Sequence, residues 1–439
     1  MQRLAPIKHP MPADDFSGTR AFAVAADECD PLHLLRDEFE HPFDENGNSI
    51  RYFAGNSLGL MPKKAKQLVA QELDDWAKHG VDGHQHGDSA WYRYHELFRE
   101  TGAAMVGAQA GETVMMNSLT VNLHLMLVSF YQPDLPSGRT KILLEEPIFP
   151  SDRYAIASHI RSRGLDPNEH VIWIRPRPNE HLIHTEDVEQ LLRDHGSEIA
   201  LVMLAGVNYF TGQFMEIDRI TQAGHAAGCI VGWDLAHAVG NMPLELHEWG
   251  PDFAVWCSYK YLNSGPGAIA GCFIHQRHEH SLELNRYSGW WGNDPETRFE
   301  FNDAFYPQRG ADGWQLSNPP ILAMAPLRAS LDLFQQASIK KLRAKSIALT
   351  GYLRWLLEQA EGKPFEIITP SDPHLCGCQL SLLVHDQPRE RFEAVRAAHM
   401  VCDFRTPNVI RVAPTPLYNT FEDVWVLADV LSAQQAKNQ

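Results

Sequence analysis

The sequence predicts an open α/β fold, a mainly parallel central sheet with helices on both faces, followed by a smaller C-terminal α/β domain. Three observations carry that prediction. Between residues 141 and 275, apolar runs of strand length (KILLEE, VIWI, IALVMLAGV, CIVGW, FAVWC, IAGCFIH) are interrupted by helical stretches at about 152–162, at EDVEQLLRDH and at DRITQAGHAAG. Such alternation implies right-handed crossovers and a sheet covered on both sides. Two central strands, Cys229–Trp233 and Phe253–Cys257, deliver polar residues at their carboxyl ends: Asp234 and His237 after the first, Ser258, Tyr259 and Lys260 after the second. Those ends are where open α/β sheets bind ligands. Finally, 439 residues that are 44% apolar and 21% charged suit a large core divided among domains. We expect an N-terminal segment over 1–45, a large domain over 46–318 and a small one over 319–439.

Taken in order, the first 45 residues are a Pro- and Asp-rich lead-in with one short helical candidate, and MQRLAPIKHPMPADDF lacks the apolar run of a signal peptide. RYFAGNSLGLMP reads as a strand breaking into a turn, Gly55 to Gly59, whose small residues permit close backbone approach to a ligand. A helix follows over about 64–78, with Leu68, Val69, Leu73 and Trp76 on one side. The loop HGVDGHQHGDSAWY contains His79, His84, His86 and Asp88, but their spacing matches no closed zinc pattern, so no metal is expected. A helix over about 91–106 leads to Asn117-Ser118-Leu119-Thr120, the start of a strongly apolar helix. Free amides and hydroxyls at such a start suit a phosphate, although an ordinary N-cap explains Ser118 or Thr120 alone equally well.

Beyond residue 275 the pattern loosens through RYSGWWGNDPETRFEFNDAFYP, rich in aromatics and glycine, which fits a cleft wall or a subunit contact. Helices over about 320–335 and 339–359 lead to strand candidates CQLSLLV and VIRVAP and to helices near 387–400 and 420–435. The longest apolar stretches, such as Leu123–Tyr131, are under half a membrane span. A net charge of −17 without a basic stripe argues against nucleic acid and anionic membranes. Seven cysteines without a C-x-x-C pair fit a reduced, cytoplasmic compartment.

An acid and a lysine at neighbouring strand ends suit pyridoxal phosphate, whose ring nitrogen needs an anionic partner and whose aldehyde condenses with a lysine amine. The strings NSLTVNLHL, IFPSD, GVNYFTGQ, WDLAHAVGN, CSYKYLNSGPG, LSNPPI and IRVAPTPLYN, in this order, closely resemble the kynureninase family, from about Gly55 to Phe421. The resemblance implies the pyridoxal-phosphate-dependent transferase-like fold (fold type I) and hydrolytic cleavage of the Cβ–Cγ bond of kynurenine or 3-hydroxykynurenine. It also implies the residue roles. Lys260 links to the cofactor and, with Tyr259, is catalytic; Asp234 holds the ring nitrogen, with His237 nearby. Leu119, Thr120, Ser151 and Tyr259 hold the phosphate, Phe149 stacks on the ring, and Pro150, Asp152 and Ala205 are further cofactor contacts. Trp290 and Asn318 reach the cofactor of the neighbouring subunit, which implies a homodimer with shared sites. Arg411 grips the substrate α-carboxylate, while Ser57, His84, Ser317 and Asn318 complete a polar pocket that favours 3-hydroxykynurenine.

Three other readings are weaker. A cysteine desulfurase or selenocysteine lyase needs a mobile catalytic cysteine, and Cys376 sits beside strand-like residues. A non-catalytic cofactor-binding regulator does not need Lys260, Asp234 and Arg411 together. A histidine-rich metal-binding protein would rest on His84, His86 and the HQRHEH run at 275–280.

Overall fold

The alternating runs form a seven-stranded sheet in the computed structural model, which describes residues 15–87, 89–281, 283–300, 303–362 and 364–433. The readings that touch residues 1–14, Asp88 and residues 434–435 lie outside the described residues. The strands are β1 (Thr113–Met115), β2 (Lys141–Glu145), β3 (Val171–Ile174), β4 (Ile199–Ala205), β5 (Ile230–Asp234), β6 (Phe253–Cys257) and β7 (Ala270–Ile274), arranged β1-β7-β6-β5-β4-β2-β3. From β6 to β3 all neighbours are parallel, and β7 runs antiparallel to both β6 and β1. β5 and β6 are buried almost throughout, as expected of strands covered on both faces. β1 is too short for its periodicity to register in the sequence.

The small domain is an antiparallel sheet of β8 (Phe365–Ile367), β9 (Leu380–Val384), β10 (Asp403–Arg405) and β11 (Val409–Val412), ordered β8-β9-β11-β10. Helices Ile339–Glu358, Pro388–Ala397 and Phe421–Ala433 complete a second core, which Ala23 and Ala26 of the N-terminal segment and Phe53 beyond it also join. Asp27 accepts from the backbone N–H groups of Phe421 (2.7 Å) and Glu422 (2.9 Å), capping the last helix. Asp30 and Lys345 form an ion pair at 2.7 Å with both side chains buried.

One expectation is corrected. The stretch 91–106 is a 3₁₀ segment over Trp91–Phe98 and an α-helix only over Arg99–Val106. Its aromatic first half buries Tyr94, His95 and Phe98, and bulky rings are poorer α-formers than the residues that follow. The glycine turn makes a close approach to protein: the Gly59 N–H donates to the Tyr259 carbonyl at 2.8 Å, and a side chain there would overlap the Lys260 carbonyl and Asn263. Gly59 thus seats the loop that presents Lys260.

Candidate active site

β2 leads to β3 on one side, whereas β4, β5 and β6 step away on the other, so a crevice opens where the order reverses. It is lined by Leu119, Thr120, Phe149, Ser151, Asp152, Ala205, Val207, Tyr209, Asp234, Ala236, His237, Tyr259 and Lys260. The register explains the convergence: Ala205 pairs with Asp234, and Asp234 with Val255, so β4 and β5 end level and β6 runs on to carry Tyr259 and Lys260 past them.

One end of the crevice suits an anion. Helices Leu119–Phe130 and Pro150–Ser162 both begin there, and neither Ser118 nor Phe149 closes its helix with a side-chain cap. Their first-turn N–H groups and aligned dipoles favour negative charge. Thr120 Oγ1 and Ser151 Oγ stand 3.0 Å apart, one on each helix. Between this cradle and the sheet, Lys260 Nζ lies 5.7 Å from the centroid of the Phe149 ring, whose edge meets Tyr209 at 5.3 Å.

The opposite end is acidic. Asp234 accepts the Ala236 N–H at 2.7 Å and neighbours the carboxyl of Asp152, which lies in the first turn of its helix. Burial, and then the neighbouring Asp234, push Asp152 well above the usual carboxylate range. Beneath them Glu145, at the end of β2, accepts from the Ala205 N–H at 3.2 Å, and burial pushes its carboxyl up to about 8. His237 is held neutral, primarily by burial and then by the charge of Lys260. Burial also raises the Tyr259 phenol, which therefore stays protonated.

Asp152 Oδ1, Glu145 Oε2 and His237 Nδ1 are buried without a hydrogen-bond partner. Unpaired polar atoms at an acidic end, an aromatic face beside a lysine and an anion cradle together fit the ring nitrogen, ring, aldehyde and phosphate of pyridoxal phosphate. Glu145 and Tyr209 were not expected from the sequence. Glu145 and Glu146 are adjacent acids ending a strand, and only the period of two at the switch point separates the buried one from the one that pairs with Arg175 at the surface.

The remaining expected residues lie outside this lining. Pro150 is the exposed first residue of its helix. Ser57 is half-buried in the glycine turn, and half-buried His84 meets the Trp91 ring edge-on at 5.6 Å. Trp290 is 45% exposed and donates to Asn318 Oδ1 at 3.1 Å, with Ser317 and Asn318 exposed. Arg411, on β11, is 1% exposed; its Nη1 donates to the Tyr209 carbonyl at 2.5 Å, and its Nε and Nη2 to Asp403. Among the described residues, Glu112, His247 and His275 bring possible metal donors together. Their atoms are already engaged: His247 Nδ1 with Glu112 at 3.0 Å and Nε2 with Gln109 at 3.0 Å, and His275 Nδ1 accepting from the Arg277 N–H at 3.1 Å. That cluster is a hydrogen-bond network.

Known proteins match this chain in sequence and in fold. Residues 51–386 match the aminotransferase class-V family and residues 342–431 the kynureninase C-terminal domain. Kynureninase of Myxococcus xanthus is 51% identical over 93% of this chain and 96% of its own length. Kynureninase of Koribacter versatilis is 49% identical over 94% and 97%. Among solved structures, the apo cysteine desulfurase of Thermococcus onnurineus superposes with a TM-score of 0.73 at 16% identity, covering 91% of this chain and 97% of that one. A mutant of C-DES with glycine covalently linked to its PLP cofactor gives 0.72 at 17% identity, covering 90% and 98%. At such identities these structures speak to the fold.

Proposed function

This chain belongs to the kynureninase family, and we propose that it cleaves 3-hydroxykynurenine in preference to kynurenine, as a homodimer, with the residue roles that follow. The family reaction is pyridoxal-phosphate-dependent hydrolysis of the Cβ–Cγ bond of the amino-acid side chain, giving L-alanine and an aromatic acid, 3-hydroxyanthranilate or anthranilate. The single observation that carries the assignment of roles is the meeting of Asp234 and Lys260 in one crevice that ends in an anion cradle.

Pyridoxal phosphate supplies an electron sink for charge developing at the substrate α- and β-carbons. Thr120, Ser151 and the two helix starts would hold its phosphate, Phe149 would lie against its ring, and Asp234 would be the anionic partner of its ring nitrogen, with Asp152 beside it. Lys260 would anchor the cofactor, and its amine would serve as the base that moves the proton at the substrate α-carbon. The raised phenol of Tyr259 arrives protonated and hands its proton to the β-carbon as the side chain is cleaved. Arg411 fixes the α-carboxylate, a charge-assisted contact of about 1.5–3 kcal/mol that also sets orientation.

The homodimer is supported by exposed aromatic surface: Tyr287, Trp290, Phe299 and Tyr306 are 65%, 45%, 56% and 55% exposed. Grouped apolar surface of this kind is characteristic of interfaces. Trp290 and Asn318 then serve the partner's cofactor. The ring hydroxyl of 3-hydroxykynurenine is recognised by His84, Ser317 and Asn318, because a polar pocket penalises the analogue that leaves its groups unpaired. Seven free thiols support a reducing, cytoplasmic setting, and among the described residues no helix is long and apolar enough to cross a membrane. The domain division proposed is 1–45, 46–318 and 319–439. Measuring kcat/KM for both substrates tests the preference: a higher value for 3-hydroxykynurenine is expected, and a clear preference for kynurenine refutes it.

A further inference from the structure

Arg411 is already paired with a carboxylate. The antiparallel hairpin of β10 and β11 sets Asp403 directly opposite Arg411, and the side-on edge of the guanidinium, Nε and Nη2, donates to Asp403 Oδ2, with Nε at 2.6 Å. That edge offers the two parallel N–H bonds that orient a carboxylate best. On the far side, Nη1 is held by the Tyr209 carbonyl at 2.5 Å. An incoming α-carboxylate therefore meets an occupied arginine.

Asp403 has somewhere else to go. The same Oδ2 accepts from Arg405 Nε at 3.0 Å, and Arg405 stands two residues along the same edge strand with its side chain 35% exposed. The Asp403 side chain is 19% exposed, whereas that of Arg411 is 1% exposed. A rotation of Asp403 toward solvent keeps its partner Arg405 and, as the incoming carboxylate takes its place on Arg411, leaves neither charge buried and unpaired, the outcome that would otherwise be most costly.

We propose that Asp403 is a surrogate carboxylate, closing Arg411 in the substrate-free protein and yielding it to the substrate α-carboxylate by transferring onto Arg405. The proposal rests on the role of Arg411 given above and adds a specificity-determining residue to it. The latch lowers apparent affinity by the fraction of molecules in which Arg411 is taken. It keeps a buried cation neutralised until a ligand carrying its own carboxylate arrives.

The test uses holoenzyme and L-alanine as probe, titrated by the change in cofactor absorbance, with ethylamine as the ligand that has the amine and lacks the carboxylate. Asp403→Asn should bind L-alanine about tenfold more tightly and leave ethylamine unchanged, with a parallel fall in substrate KM. Weaker L-alanine binding in this variant overturns the proposal, since it would make Asp403 a support for Arg411. Arg405→Gln alters a partly exposed side chain and so tests the transfer even where Asp403→Asn folds poorly. It should weaken L-alanine binding several-fold, and unchanged affinity overturns the transfer. In the double variant the Arg405 effect should vanish; additive effects contradict the latch. Arg411→Gln separates the underlying reading: if it leaves L-alanine affinity unchanged, Arg411 does not grip the carboxylate, whatever Asp403 does.

Discussion

The cofactor end and the substrate end of this site are built from different materials. At the cofactor end, strand termini held level by sheet register bring Asp234, Ala205, Tyr259 and Lys260 together within one chain. The residues expected at the substrate end, His84, Trp290, Ser317, Asn318 and Arg411, sit on loops or on the small domain and none lines the crevice. The sheet fixes the crevice residues, whereas the residues expected to choose the substrate stand on surfaces outside it. The carbonyl turn at Tyr209 and Phe210 is the joint: it accepts from Arg411 Nη1 at 2.5 Å and from Ser381 Oγ at 2.6 Å, both on the small domain.

Perturbing each end should therefore give effects of different size and kind. The largest belong to the rigid end: Asp234→Ala should lower kcat/KM by about 10²–10³-fold, comparable to removing one preorganised electrostatic partner, and weaken cofactor binding measured by equilibrium dialysis. Retention of near-normal values would mean the ring nitrogen is held elsewhere. Next comes the boundary between the halves. Trp290→Ala should weaken cofactor binding by about tenfold or more, as expected for an aromatic interface anchor. At limiting cofactor, mixed dimers of Trp290→Ala with a Lys260→Ala protein should be more active than either homodimer. No recovery on mixing would place Trp290 in its own chain's site.

A smaller effect sharpens the acidic end. Glu145 carries a folded-state value of about 8 against an ordinary 4.5, so the folded protein binds its proton more tightly than the unfolded chain does. The stability contributed is present at acid pH and is lost as pH rises from about 4.5 through 8. Cofactor-free Glu145→Gln should therefore show a flatter decline in melting temperature across that window than the parent, with the difference greatest at its alkaline end. Parallel curves would mean that Glu145 is ionised in the fold. Smallest of all, His84→Leu should shift the ratio of kcat/KM for 3-hydroxykynurenine over kynurenine by about five-fold toward kynurenine, the loss of one hydrogen bond of about 1 kcal/mol.

Much of the rigid end was legible in the sequence because its logic is periodic. Apolar runs of strand length announce the sheet, and polar residues immediately after Trp233 and Cys257 announce the crevice. What escaped depends on contacts across long sequence separations. Glu145 owes its character to burial beneath Asp152 and Asp234, and Tyr209 to a turn whose carbonyls face another domain. Asp403 could have been found: a hairpin closing around Thr406–Asn408 pairs residues whose numbers sum to 814, which sets 403 against 411. The glycine turn was read for close approach, and the structure shows Gly59 approaching the Lys260 loop, a neighbour the sequence could not name.

The central claim is that Asp234 and Lys260 flank one aromatic ring, and the visible spectrum of purified protein with added pyridoxal phosphate tests it most directly. The parent should show the absorption band of the lysine-linked cofactor, and Lys260→Ala should bind the cofactor without that band. A parent protein that stays colourless and refuses the cofactor, or a Lys260→Ala protein with an unchanged band, would contradict the account.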